Sequence, residues 1–544
     1  TKTMESIGAD LEVMKRVPLA DEHVTAMCAI GHERAYHKGE MVAEIGQPHD
    51  TFVYVIEGEI EVVDPFSGER LLESSLGPTQ FMGDISFLNA GSHFLPMRAT
   101  VNTRVIEVPR EDMLDLMGRV PELSDHIITV FAARRRRQFE LKNSMIKLIG
   151  ADRDAAVQGV ETFLARNRVP FQSFDLDSSD DEASRLCNLV DHEPAVIVGQ
   201  DRKLDDPTPR KVAQILNLDL DVADDTIVDA LIVGGGPAGV AAAAYAGAEG
   251  LSALLIEDTA IGGQAGTSSR IENYMGFPTG ISGADLVYRG QIQAMKFGTC
   301  FAMPRRVEKL EKRPDGLFRA TLDDEAHVCA RGVVVATGVQ YRRMPLDRLE
   351  EFEGAGIFYA ATDMEARFCR NTDAIVIGGG NSAGQAAMYL CRAAKQVHVL
   401  VRGESLADSM SNYLSRRLEA EPNIQIHYGC KITALHGEDH LEAVTVMDAQ
   451  GEWGMDTRAL FIMIGAAPNT NWLSDLVNLD AKGFVHTGEA AGAETPYETS
   501  HRGIFAVGDV RAGSVKRVAS AVGEGSVVIS AVFNHVQNLP ELVR

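Results

Sequence analysis

Gly234, Gly236 and Gly239 follow the apolar run "DALIV" and lead into the Ala-rich stretch "AGVAAAAYAGAEG". At this spacing the first glycine makes a tight turn and the second lets a pyrophosphate reach the backbone. The third lets a helix pack closely on a strand. The start of that helix offers unpaired N–H groups and a positive dipole end to phosphates. Glu257 closes the next apolar run, where a carboxylate can accept hydrogen bonds from ribose hydroxyls. A second unit repeats the plan after "DAIVI", with Gly378, Gly380 and Ala383 in G-x-G-x-x-A spacing and Asn381 and Ser382 among them. Its following strand ends in Arg402. A guanidinium accommodates a 2′-phosphate that an acid would repel, so NADPH is favoured over NADH at this unit.

These turns need strands before them and helices behind them, and the chain divides accordingly. Residues 1–140 carry short β-branched and aromatic runs broken by Gly, Pro and Asp, the pattern of a small antiparallel β-roll, followed by helical spacing. Residues 144–220 read as a small α/β unit in β-α-β-α-β-β-α order. The first dinucleotide unit opens a domain at 226–344 that resumes at 456–544. The second occupies an insertion at 345–455. The expected fold class is multidomain: a β-roll, a small α/β unit, then an α/β protein with two dinucleotide-binding domains.

At 544 residues the chain exceeds what one core serves. Its net charge of −25 argues against nucleic acid or an anionic membrane as a partner. The one basic run, Arg134 to Arg137, reads as the solvated end of a helix. Seven cysteines include no C-x-x-C pair, which excludes a secreted disulfide framework and a zinc site of ordinary spacing. The first residues lack an apolar signal core, and the most apolar long run is punctuated by Gly and Pro. A reducing cytoplasmic setting is expected.

Residues 226–544 resemble the low-molecular-weight thioredoxin reductases in "GGQAGTSSRIENYMGFPTGISG", "VVVATG", "IGAAPNTNWL", "IFAVGDV" and "KRVASAVGEG". The resemblance implies FAD contacts at Gly263, Gln264, Asn273, Thr337, Gly338, Gly508, Asp509 and Val518, beside Gly234, Gly236, Gly239 and Glu257. It also implies a homodimer. The family carries C-x-x-C just before the nicotinamide-binding strand. This chain has "YAATDMEARFCRN" there, with Ala360 and Asp363 at the two cysteine positions. Neither side chain can attack a disulfide. The resemblance then implies an NADPH-dependent FAD oxidoreductase that passes electrons from flavin directly to an unidentified acceptor: a redox protein, a quinone-like molecule or oxygen. Two alternatives stand beside it. One is a nucleotide-responsive redox sensor with little turnover. The other is a thioredoxin-disulfide reductase using a non-standard thiol such as Cys369.

The first section resembles a cyclic-nucleotide-binding domain in "HKGEMVAEIGQPHDTFVYVIEGEIEVV". The resemblance implies that Gly83, Asp84, Arg98 and Ala99 line a site for cAMP or cGMP, Asp84 taking the ribose hydroxyl and Arg98 the phosphate. The middle section resembles a glutaredoxin- or thioredoxin-like unit, with Pro194 at the family's cis-proline position. The turn "GADRDAA" carries no cysteine and Cys187 has no partner in the section, so a docking or spacer role is expected.

Overall fold

The computed structural model describes residues 17–64, 67–72, 74–93, 95–141, 146–151, 154–175, 194–198, 202–216, 226–267, 271, 274–353, 355–359, 361, 365–366, 369–370, 372–407, 409–438, 440–473 and 476–539. Asn273, Ala360, Asp363 and Cys187 lie outside the described residues.

The N-terminal domain is the expected β-roll. A four-stranded antiparallel sheet (order His32–Tyr36, Thr103–Pro109, Thr51–Glu57, Phe81–Met82) faces a three-stranded one (Met41–Ala43, Met97–Ala99, Ile60–Val62). Helix α1 (Asp21–Ile30) precedes the strands, and α2 (Arg110–Arg119) and α3 (Pro121–Leu141) follow them. Strand alternation sends Met97 and Ala99 into the roll core and Arg98 to the opposite face.

The middle unit orders its strands Arg202–Asp205, Ala195–Val198, Ile146–Gly150, Gln172–Asp175. The last two are parallel and the other pairings antiparallel. Helix α4 (Ala155–Arg166) starts at Asp154, whose carboxylate accepts from Ala156 N and Val157 N. Helix α5 (Pro209–Ile215) is capped by Thr208. The helix expected between Gln172–Asp175 and Ala195–Val198 falls outside the described residues.

The flavin-type domain is built on parallel strands Cys300–Ala302, Ala253–Ile256, Thr226–Val233, His327–Val335 and Ile504–Ala506, extended by an antiparallel hairpin, Val307–Lys312 with Phe318–Leu322. The central strands read as unbroken apolar runs because helices cover one face and the C-terminal segments the other. Helices α6 (Pro237–Ala248) and α7 (Gly283–Lys296) belong to this domain.

The inserted domain has five parallel strands ordered Ile357–Phe358, Ala459–Ile462, Asp373–Ile377, Gln396–Val401, Ile424–Tyr428, with α8 (Leu349–Phe352), α9 (Asn381–Leu390) and α10 (Asn412–Ala420). Because Ala459–Ile462 sits in this sheet, the insertion runs past residue 455, the boundary expected from sequence. The chain crosses between domains on an antiparallel ribbon, Val339–Tyr341 outward and Ala466–Pro468 back. Helix α11 (Val518–Gln537) then packs on α6.

The units share buried surface. One apolar cluster runs from the roll (Phe81, Phe87, Phe131) into the flavin-type domain (Val287, Met295, Phe301). The Asn89 side chain accepts from Phe301 N (3.0 Å) and donates to Phe301 O (3.1 Å), extending an edge strand. Arg210 of the middle unit pairs with Asp323 and Asp324.

Candidate active site

The first glycine turn is shaped as its spacing requires. Gly234 adopts φ +108°, and a Cβ there would lie 2.4 Å from Ala336 O. A Cβ on Gly239 would sit 1.9 Å from Gly234 O, so only glycine lets α6 approach the strand. Gly236 differs: the nearest atom to an added Cβ is 3.9 Å away, on Gly263. That open space lies at the N-terminus of α6, where phosphate oxygens would find free N–H groups.

Glu257 accepts from Gly235 N at 2.7 Å and from Thr259 N at 3.1 Å. Burial, and then its neighbour Asp258, push its carboxyl up to about 8. A buried carboxyl without a cation suits ribose hydroxyls, which donate without bringing charge.

Gly263, at φ +51°, lies against Gly236. Gln264 donates to Val339 O, and Thr337 donates to Asn469 O, so both side chains tie the site to the crossing ribbon. Gly338 adopts φ +59° with open space where a Cβ would be. Gly508 N donates to the buried Glu524 carboxylate at 2.7 Å, and the same carboxylate pairs with Arg511 at 2.6 Å. This anchor sets the turn that holds Asp509. Burial raises the Asp509 carboxyl, Lys516 lowers it, and Glu524 adds to the rise. Val518 is the first residue of α11. The segments 234–239, 257–264, 336–338 and 508–509 thus meet beyond the carboxyl ends of the parallel strands, the general ligand position of such sheets. The residues fit FAD.

The second turn has the same construction. Gly378 adopts φ +137°, and a Cβ there would meet Met463 O at 2.3 Å. Gly380 is open at the start of α9, and Ala383 is fully buried against the turn. Asn381 accepts from Ser411 N, a structural duty, while Ser382 is exposed. Arg402 is exposed just past its strand.

Cys369 and Cys391 are buried beside α9. Burial, then Glu365, push the Cys369 thiol up to about 12. Burial also raises Cys391. Neither is a thiolate at neutral pH. Among the described cysteines only Cys28, in the roll, is exposed.

In the roll, the structure does not bring Asp84 and Arg98 together. Arg98 pairs across the sheet with Glu61 at 2.6 Å and donates to Gly68 O, on the face away from the roll core that Ala99 lines. Asp84 accepts Arg135 Nη2 at 2.7 Å and Nε at 3.1 Å. Burial is the largest influence on Asp84 and raises it, but Arg135, His49 and Ser86 outweigh it and hold the carboxyl at about 2. Gly83, at φ +125°, has no room for a Cβ beside the Phe131 ring, and its carbonyl accepts from Arg134 at 2.9 Å. The reading of Arg134–Arg137 as a solvated helix end is therefore corrected. Arg135 is buried and Arg134 half-buried, because the cassette loop supplies both with acceptors. An i, i+1 basic pair gives no sign in sequence of what a distant loop will offer it.

Among the described residues no helix is long and apolar enough to cross a membrane, and no cluster of His, Cys, Asp and Glu could hold a metal ion.

Known proteins share this arrangement. Residues 228–525 match the family described as Pyridine nucleotide-disulphide oxidoreductase, and residues 33–119 match the Cyclic nucleotide-binding domain. A thioredoxin reductase of Treponema pallidum is 34% identical over 317 residues, 58% of this chain and 99% of its own length. The 34.2 kDa protein in the rubredoxin operon of Clostridium pasteurianum is 30% identical over 302 residues, 55% of this chain and 94% of its own. The crystal structure of Lactococcus lactis thioredoxin reductase in its FR conformation has a TM-score of 0.53 at 28% identity, covering 58% of this chain and 100% of that one. With two built dinucleotide sites and this family match over more than half its length, the chain belongs to the pyridine nucleotide-disulphide oxidoreductase family, as a thioredoxin reductase-like, FAD-dependent NAD(P)H oxidoreductase.

Proposed function

We propose that this chain uses NADPH to deliver electrons to an acceptor without a dithiol relay of its own. When bound, FAD would supply the hydride-accepting and electron-donating chemistry. The chain's residues do the rest. Gly236 and the α6 N-terminus receive the pyrophosphate, Glu257 receives the ribose, and the Glu524-anchored turn orients Asp509. Arg402 selects the 2′-phosphate.

The observation that carries this reading is the thiol inventory. No two of the seven cysteines have C-x-x-C spacing, and Cys369, the thiol nearest in sequence to "YAATDME", is buried and protonated. The acceptor is then a redox protein, a quinone-like molecule or oxygen that meets the flavin itself. The reading includes a homodimer.

Anaerobic titration with NADPH, followed by flavin absorbance, tests it. Bleaching that persists after thioredoxin and a disulfide are added supports direct transfer, and reoxidation by thioredoxin refutes it. Bleaching without steady NADPH consumption when artificial acceptors are added supports the redox-sensor alternative.

We extend the reading to regulation by the roll on one observation: the acid of its ligand cassette is held by the helix that leaves the domain. A ribose hydroxyl that takes Asp84 competes with Arg135 on one carboxylate oxygen and Ser86 on the other, and displacing Arg135 would loosen the end of α3. Calorimetric titration with cAMP and cGMP tests this. Absence of binding to both leaves the roll a structural domain.

A further inference from the structure

The middle unit touches the flavin-type domain at the loop that closes over the first glycine turn. Three consecutive residues at the end of α4 make the contact. Arg166 Nη2 donates to Gly263 O at 3.1 Å. Asn167 Nδ2 donates to Thr259 O at 3.3 Å. Arg168 pairs with Asp285 on α7, and its guanidinium lies 4.3 Å from the centre of the Tyr288 ring. All three side chains are at least half-buried.

The backbone at this point carries a cost that packing alone does not explain. Helix α4 ends with Val169 N bonding Leu164 O and Arg168 N bonding Ala165 O. In such an ending the residue after the cap takes left-handed φ and is usually glycine. Here it is Arg168, at φ +54°. A non-glycine residue there costs on the order of 1 kcal/mol. The side chain that stands at this costly position is the one that reaches Asp285 and Tyr288.

The bonded atoms bear on the cofactor site. Carbonyl and N–H of one trans peptide point in opposite directions. Holding Gly263 O toward the middle unit therefore aims Gln264 N–H away from it. The same Gly263 packs on Gly236, the open glycine of the turn, and Gly262 N donates to Gly235 O. Thr259 N in turn donates to Glu257, the ribose acid. Arg166 and Asn167 thus hold, from outside, both ends of the segment that links Glu257 to Gly263.

We propose that the middle unit is a brace for the flavin-binding loop, and that Arg166, Asn167 and Arg168 are FAD-positioning residues supplied by an accessory domain that has no C-x-x-C pair. The inference depends on FAD occupying the first site and not on which acceptor is used. It gives a role to a unit whose own exchange chemistry is absent. The turn where cysteines would stand is at the other end of α4, about 17 Å along the helix, so this unit meets the flavin loop through the wrong end for thiol exchange.

The test follows FAD release from the full-length holoprotein after dilution, by recovery of free-flavin fluorescence, together with the visible flavin spectrum. Arg166→Ala is expected to release FAD about tenfold faster, the loss of one charge-assisted hydrogen bond, and Arg166→Lys to restore part of it. Arg168→Gly is the discriminating variant, because glycine suits the left-handed turn and leaves α4 folded. The brace requires faster FAD release and an altered flavin spectrum from it, with an unchanged or raised apoprotein Tm. The exchange Arg168→Asp with Asp285→Arg is expected to slow release again relative to Arg168→Asp alone. If Arg168→Gly and Arg166→Ala both keep the parent release rate and spectrum, the brace is wrong and the contact is only a domain junction.

Discussion

Asp84 and Arg135 join the cassette loop of the roll to the helix that leaves it, with two guanidinium nitrogens 2.7 and 3.1 Å from one carboxylate oxygen. Both groups are almost fully buried. Removing one partner of such a pair strands the other charge and typically costs about 3–5 kcal/mol. Arg135→Met is therefore expected to destabilise the roll by that amount in denaturant unfolding, and adding Asp84→Asn to recover a large part of the loss.

The same pair predicts an acid limit. Asp84 is held at about 2 in the folded chain, below its unfolded value near 3.9. A depressed carboxyl contributes stability that is present above the unfolded value and is lost as pH falls through the folded one. About 2–3 kcal/mol is expected to disappear between roughly pH 4 and pH 2. Thermal scans across that window check it, and Asp84→Asn should flatten this part of the profile.

Gly236 and Gly239 separate cofactor binding from folding. Gly239→Ala places a methyl 1.9 Å from Gly234 O and is expected to prevent the domain from folding. Gly236→Ala meets no atom within 3.9 Å and should leave the apoprotein Tm unchanged. It should instead lower the flavin-to-protein ratio, since its methyl enters the space kept for pyrophosphate.

Arg402 is exposed, just past the end of its strand. Arg402→Ala is expected to lower kcat/KM for NADPH by about tenfold or more, the loss of a charged phosphate contact, while changing that for NADH little. Steady-state kinetics with both nucleotides and an artificial acceptor read this directly.

Thiol chemistry offers a separate check. Cys369 is buried and its thiol sits near 12, so Cys369→Ser is expected to leave NADPH consumption unchanged. Alkylation of the native protein at pH 8 should modify Cys28 and spare Cys369. A Cys369→Ser variant that loses disulfide reduction would restore the reductase reading.

Much of this was legible in the residue order. Both glycine turns, the two acids or bases that follow them, the roll and the nested insertion all depend on local spacing, and local spacing survives into the fold because turns and strand–helix junctions are built from near neighbours. What the order could not show is which distant group each charge would meet. Arg98 and Asp84 stand 14 positions apart in one cassette, yet strand alternation turns Arg98 outward to Glu61 and α3 brings Arg135 to Asp84. The return crossing at Ala466–Pro468 was displaced for a related reason: Ala459–Ile462 pairs with Asp373–Ile377, and long-range strand pairing leaves no local mark.

By itself, then, the sequence determined the dinucleotide turns, the likeness of the domains to known families and the lack of a dithiol, because glycine conformation, apolar periodicity and the presence of a thiol are properties of the chain. The tertiary structure alone decided that Arg134 and Arg135 tie α3 to the cassette loop within the roll, and that Arg166 and Arg168 join the middle unit to the flavin-type domain. A guanidinium on a helix end has the same local sequence whether it faces water or a buried carboxylate, and only packing brings it to Asp84, Gly83, Gly263 or Asp285.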